Sequence, residues 1–154
     1  MARPSRPRAQ SGMTLIELVV TSVILSILAL GAMPLARYQI KREKEKMLRY
    51  DLEQMRDAID AYKDAADRGA FQVKIETYGY PPDMDTLTKG VEIQGKKVVF
   101  LRAVPVDPMT GKAEWAMRSM EDDPTSDSWD GKHIFDVRSK STGTALNGTK
   151  YSDW

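Results

Sequence analysis

Hydrophobic and polar positions follow three successive patterns along this chain. From Leu18 to Ala36, 19 residues pass without a charge, long enough as a helix to cross about 30 Å of hydrocarbon. From Leu48 the apolar positions become periodic. Leu48, Leu52, Met55, Ile59, Tyr62 and Ala66 are spaced 4, 3, 4, 3 and 4 residues apart, which places them on one face of a helix and predicts a core-packing stripe. Gly69 stands just beyond the stripe and predicts the stop. One helix from about Thr14 to Arg68 is therefore expected, apolar on all sides in its first half and on one side in its second.

After residue 70 the pattern breaks into short runs. "YGYPPDMDTLTKG" (78–90) reads as a proline turn followed by a short helix capped by Asp83. "VEIQGKKVVFL" reads as two extended pieces around Gly95, and "AEWAMRSM" and "KHIFDVRS" as strands joined by the acidic loop "EDDPTSDSWDG". The tail "STGTALNGTKYSDW" is a glycine-punctuated loop. The expected fold class is α+β, a long N-terminal helix packed on a small antiparallel β-sheet head. The expected segments are 1–12, a leader; 13–36, a transmembrane or assembly helix; 37–69, its amphipathic continuation; and 70–154, a globular head.

Between Arg8 and Arg37 the one ionisable side chain is Glu17. A charge at the centre of a bilayer helix costs about 3 kcal/mol even on lenient insertion scales. Either something offsets that cost or Glu17 sits where it is small, as in a first helical turn whose dipole favours an acid. A cleaved secretory signal peptide would account for the basic start, the apolar core and the small residues Ala29, Gly31 and Ala32. The length of the core, the carboxylate at its start and the unbroken helical pattern past Ala36 weigh against it.

A short basic leader ending in Gly12, then Met-Thr-Leu-Ile-Glu ahead of a spanning segment, resembles the class III signal of type IV pilins and pseudopilins. That resemblance implies cleavage between Gly12 and Met13 by a prepilin peptidase, methylation of the new amine on Met13, and Glu17 as mature residue five. It also implies that Glu17 of one subunit neutralises the Met13 amine of its neighbour within an apolar filament core, where an unpaired charge is expensive. Pro34 falls where pilins often carry a proline. It removes one helix hydrogen bond and predicts a kink or a locally melted turn.

Further along, "LRAVPVDPMTG" (101–111), "EW" (114–115) and "YSDW" (151–154) resemble the head of the general secretion pathway protein G group, the major pseudopilins of type II secretion. Type IV pilins commonly close their C-terminal loop with a disulfide, and this chain has no cysteine. The resemblance implies a structural subunit of a type II secretion pseudopilus. Its alternatives are a subunit of a type IV pilus or DNA-uptake machine or, in a different class, a membrane-anchored periplasmic enzyme or binding module.

Charge and composition narrow the chemistry. The net charge is +1, with a basic excess confined to Arg3, Arg6 and Arg8 of the leader, so no nucleic-acid partner is expected. With a single histidine, His133, and no cysteine, zinc sites and His-based relays have little to build on, and no enzyme is expected. Lys and Arg flank the apolar segment on both sides, so charge leaves its orientation neutral or reversed. The leader resemblance places the N-terminus in the cytoplasm and the head in the periplasm of a single-pass inner-membrane protein. The basic neck "RYQIKREKEK" (37–46) reads as a solvated helix face, with anionic lipid headgroups as its other reading.

Partners implied by the resemblance are further copies of the chain, minor pseudopilins, the prepilin peptidase and the inner-membrane assembly platform. Many protein G heads use calcium to tie down their C-terminal loops, and Asp122, Asp123, Asp127, Asp130 and Asp153 offer oxygen ligands. The family's aspartate-rich loop appears here as "SKSTGTALNG", with Asn147 and no acid. The expectation is therefore no cofactor, the loops being held by packing of Trp115, Trp129 and Trp154.

Overall fold

The computed structural model describes residues 12–123 and 128–154, and of residues 31–33 the backbone alone. The chain divides into two compact units, residues 1–40 and 41–154.

Helix α1 runs from Leu15 to Asp67, 53 residues, within one residue of the expected bounds at each end. Its stop is built as the position of Gly69 predicts. Gly69 adopts φ +67°, its N–H donates to Ala66 O and that of Ala70 donates to Ala65 O. These are the paired bonds of a Schellman cap, which needs a left-handed residue at that place. The helix passes through Pro34 without a break, and residues 31–40 are helical throughout. The locally melted turn expected there is absent. Proline lacks the N–H that would bond the Leu30 carbonyl, yet the helical ladder continues on both sides.

In the unit of residues 41–154, the stripe does what its period predicts. Leu48, Met55 and Ile59 are fully buried, and Leu52, Tyr62 and Ala66 nearly so. All but Ala66 join Leu87, Leu101, Trp115, Ile134, Val137, Ala145 and Tyr151 in one core. Full burial of each large aliphatic side chain contributes about 1.5–3 kcal/mol. That exceeds the few tenths of a kcal/mol by which helix propensities ordinarily differ, so packing rather than propensity fixes this half of α1.

Helix α2, Met84–Lys89, starts where Asp83 caps it. The Asp83 carboxylate accepts from Thr86 N–H at 2.7 Å and from its hydroxyl at 2.8 Å. Strands β1 (Val91–Ile93) and β2 (Lys96–Val98) pair antiparallel across Gln94 and Gly95, both at positive φ, 51° and 76°. Two successive left-handed residues are the requirement of a tight type I′ hairpin. Strands β3 (Trp115–Arg118) and β4 (Asp136–Ser139) pair antiparallel, with Trp115 opposite Ser139 and Met117 opposite Val137. Among the described residues the head thus holds two separate two-stranded sheets where a single sheet was expected. Side-chain packing in the common core takes the place of hydrogen bonds between the hairpins. Single 3₁₀ turns at Ile75–Thr77 and Tyr151–Asp153, unforeseen from the sequence, complete the fold.

Candidate assembly site

The start of α1 is organised around Thr14 and Glu17. Thr14 Oγ1 accepts the Glu17 main-chain N–H at 3.3 Å, and Thr14 O accepts that of Leu18 at 3.1 Å. Thr14 is thus the N-cap and Glu17 the third helical residue, the T-x-x-E spacing of a capping box. The sequence contained that signal in "TLIE", and the first-turn acid was read from it without its threonine. Glu17 is exposed and makes no ion pair among the described residues. Gly12 and Met13 precede the cap and are also exposed, Met13 by 68%. Every side chain described from Met13 to Ile40 is exposed, large apolar ones included, such as Leu15 at 83% and Leu30 at 74%.

Two of the hydroxyl side chains inside this apolar run are satisfied by the helix itself. Thr21 Oγ1 donates to Leu18 O at 3.0 Å and Ser26 Oγ to Ser22 O at 2.8 Å. Hydroxyls bonded back to their own helix cost little in lipid or in an apolar bundle. One 18-residue window of α1 has mean hydropathy 2.4, and by length and composition the helix is able to cross a membrane. A surface this apolar and this uncovered requires either lipid or other helices around it.

Residues 7–33 match the family model described as the prokaryotic N-terminal methylation motif. The chain carries a type IV pilin-like N-terminal signal. This motif, the long apolar helix and the small antiparallel sheets make the fold pilin-like α+β. The match supports a pilin-like subunit that is processed by a prepilin peptidase, assembles with copies of itself and is anchored in a membrane. No curated protein and no solved structure matches the chain.

In the second unit two of the neck residues reach the tail. Lys41 Nζ donates to Thr144 O at 2.6 Å, and Glu45 Oε1 accepts from Leu146 N–H at 2.8 Å and from the Tyr151 hydroxyl at 2.9 Å. Burial first, and then this bond to Glu45, push the Tyr151 phenol up to about 12. Lys41 and Glu45 thus tie the tail down, while Arg42, Glu43, Lys44 and Lys46 are exposed, as a solvated face requires. Arg49 stacks over the Trp154 ring at 3.8 Å from its centroid. Arg56 reaches further still. Its Nε donates to Asp136 Oδ1 at 2.8 Å and its Nη2 to Val137 O at 3.0 Å and Trp154 O at 2.9 Å. Nothing local in the sequence marks Lys41, Glu45 or Arg56, whose partners lie some 80 to 106 residues away.

The proposed calcium ligands have other partners. Asp122 Oδ2 accepts the Ser119 N–H at 2.8 Å. Asp130 accepts from the Ser119 hydroxyl and from Lys132 N–H at 3.0 Å, and its carboxylate lies 3.2 Å from Lys132 Nζ. These bonds, that of Ser119 foremost, pull the Asp130 carboxyl down to about 2. Lys132 also pairs with Glu121 at 3.2 Å, so a lysine ammonium already serves the acidic loop as its cation. Asp153 accepts from the Ser152 hydroxyl at 3.2 Å, Asp123 is engaged within the fold, and Asp127 lies outside the described residues. Among the described residues no three His, Asp or Glu side chains come together as a metal cage.

The three indoles are bound in. Trp115 is buried, while Trp129 and Trp154 pack against the core. Their Nε1–H groups donate to Pro105 O at 3.0 Å, His133 O at 2.9 Å and Thr149 Oγ1 at 2.7 Å. His133 is fully buried, its Nε2 accepting the Met120 N–H at 3.1 Å, and it stacks on Tyr80.

Proposed function

We propose that this chain is a structural subunit of a type II secretion pseudopilus, inserted in the inner membrane with its head in the periplasm. The observation that carries the reading is the methylation motif leading straight into an uncovered apolar helix that begins with a free carboxylate. In that reading the peptidase cuts after Gly12, the Met13 amine is methylated, and α1 packs among the same helices of other subunits. Glu17 then meets the positive Met13 terminus of a neighbour. Inside an apolar bundle that pair favours one registry, because any other leaves an uncompensated charge.

The head motifs from Leu101 to Trp115 and at Tyr151–Trp154, together with the absence of cysteine, favour the protein G group over a pilus or DNA-uptake subunit. The role is structural and not enzymatic, and its working partners are copies of the chain, minor pseudopilins and the assembly platform.

Mass spectrometry of the protein purified from a host with a prepilin peptidase should give an N-terminus at methylated Met13. A terminus near Gly31 or Ala32 removes the assembly helix and refutes the proposal. Glu17→Gln should still be inserted and cleaved but should form few filaments, since cleavage needs the leader and assembly needs the charge. Normal filament yield would reduce Glu17 to a first-turn acid. Deletion should abolish export of secreted proteins while sparing piliation and DNA uptake.

A further inference from the structure

We infer that the last rung of the β3–β4 hairpin is held by the neutral form of the His133 imidazole and is released by acid. Beyond the paired residues Arg118 and Asp136, Phe135 N–H donates to Arg118 O at 2.8 Å and the Ser119 hydroxyl donates to His133 O at 2.8 Å. The next N–H along the chain, that of Met120, donates instead to His133 Nε2 at 3.1 Å. A ring nitrogen stands there in place of a strand carbonyl.

Two features make this rung depend on a proton. A neutral imidazole has one donor and one acceptor nitrogen, whereas an imidazolium has two donors and no acceptor. Because Nε2 accepts from Met120, the ring proton is assigned to Nδ1. A second proton can go only to Nε2, where it would face the Met120 N–H. The other feature is burial. His133 is fully buried, and among the described residues Nδ1 has no hydrogen-bond partner, so the closed rung offers an imidazolium no acceptor. The closed rung thus binds one proton fewer than the released one. It is favoured at high pH and lost as pH falls.

The groups around the ring define what acid can change. Tyr80 stacks on it at 5.8 Å and Tyr78 stands edge-on at 5.7 Å. Lys63 of α1 lies 5.4 Å from the centre of the Tyr80 ring, and Arg118 of β3 pairs with Asp136 of β4. On the segments that the rung joins, Glu121 and Asp130 both pair with Lys132, and Asp122 accepts the Ser119 N–H. The Tyr78 hydroxyl and then Lys132 hold the Glu121 carboxyl below its ordinary value. Asp130 is held at about 2, by Ser119 foremost. Both therefore stay charged from pH 7.5 to 5.0. Histidine is the side chain that ordinarily changes charge in that range, and the chain has one. Once released, an imidazolium meets the carboxylates of the two segments it had joined, and opposite charge favours its protonated form.

The inference is independent of the filament reading, since it rests on the head alone. The test uses the full chain in non-ionic micelles and follows hydrogen exchange of the Met120 amide by NMR, corrected for the intrinsic effect of pH. A local probe is needed because the buried Asp51 carboxyl shifts overall stability in the opposite sense. Met120 protection should fall at least tenfold between pH 7.5 and 5.0, and the His133 ring should titrate with the same midpoint. His133→Gln supplies an amide oxygen that accepts a hydrogen bond at any pH, so its Met120 protection should be flat over that range. If that variant does not fold, ring titration and Met120 exchange in the unaltered chain decide the matter together. Constant Met120 protection in the parent would overturn the inference. So would a ring that titrates while Met120 stays protected. The parent's pH dependence surviving in His133→Gln would assign the effect to carboxylates and overturn it equally.

Discussion

Arg56 is the residue on which the attachment of α1 to the tail and the β4 hairpin can be measured. Its guanidinium makes three hydrogen bonds to three separate places: the Asp136 carboxylate, Val137 O and Trp154 O. Arg56→Ala removes all three. In full burial, hydrogen bonds to a charged group contribute about 1.5–3 kcal/mol each. Here the Arg56 side chain is 39% exposed and that of Asp136 25%, so water replaces part of what is lost. Asp136 also keeps Arg118 at 3.3 Å and the Val137 N–H at 2.8 Å, so its carboxylate is not orphaned. A value of about 0.5–1 kcal/mol per bond is then appropriate, giving a destabilisation of about 2 kcal/mol.

The assay is thermal unfolding of residues 41–154, which contain the whole buried core. For a domain of this size about 2 kcal/mol lowers the melting temperature by roughly 6–10 °C. Arg56→Lys is the sharper variant, because an ammonium is a point donor on a flexible stem and cannot reproduce a planar fork. It should recover less than half of the loss. A melting temperature of Arg56→Ala within about 1 °C of the parent, or full recovery by lysine, would refute the argument.

Two further outcomes follow from the head. Burial first, and then the neighbouring charge of Asp107, hold the Asp51 carboxyl above its ordinary value. A raised carboxyl penalises the folded state above its folded pKa and stops doing so once protonated, so stability should rise as pH falls from neutral toward 3.8. Asp51→Asn should accordingly raise the melting temperature at pH 7 and flatten that rise. A lower melting temperature, or an unchanged slope, would count against burial as the cause. Millimolar calcium and excess chelator should leave the melting curve of residues 41–154 unmoved, given that Lys132 already neutralises Glu121 and Asp130. A calcium-dependent rise that Asp153→Ala abolishes would restore the metal site to this chain.

What was legible in the sequence shares one property: it is written in local spacing. The helix stripe from Leu48 to Ala66, the stop at Gly69, the cap at Asp83 and the turn at Gly95 each need only a few adjacent residues to state their geometry, and all four stand as read. The N-terminal signal is local too, and residues 7–33 match the methylation motif. The failures come from two other directions. Of the two outcomes expected at Pro34, a kink or a melted turn, the melted turn does not occur, since the helix continues on both sides. The neck reading missed the role of Lys41 and Glu45 because charge in a helix says where water is tolerated and nothing about what returns to meet it. Lys41 and Glu45 look like any solvated pair until the tail, a hundred residues later, presents Thr144 O, Leu146 N–H and the Tyr151 hydroxyl.

That distinction bears on how such a subunit can work. An uncovered apolar helix specifies association but is nearly indifferent to partner, since one leucine-rich surface fits lipid and neighbouring helices alike. In the proposed filament registry would come from the few polar groups within it, and among the described residues of that segment Glu17 alone is charged. The head faces the opposite requirement. It has few strands and no disulfide, so it needs anchors of its own where the tail meets α1. Lys41, Glu45, Arg49 and Arg56 supply them at intervals of 4, 4 and 7 residues, a second face of the same helix. The apolar face of that stretch holds the core and the charged face holds the tail. A substitution at Glu45 or Arg56 should therefore loosen the head without touching cleavage after Gly12, whereas one at Glu17 should stop assembly with the head still folded. Parallel measurement of head melting and filament yield in Glu17→Gln and Arg56→Ala would separate the two. A lowered head melting temperature in Glu17→Gln would show that the two regions are not independent, and the assignment of registry to the first and anchoring to the second would fall.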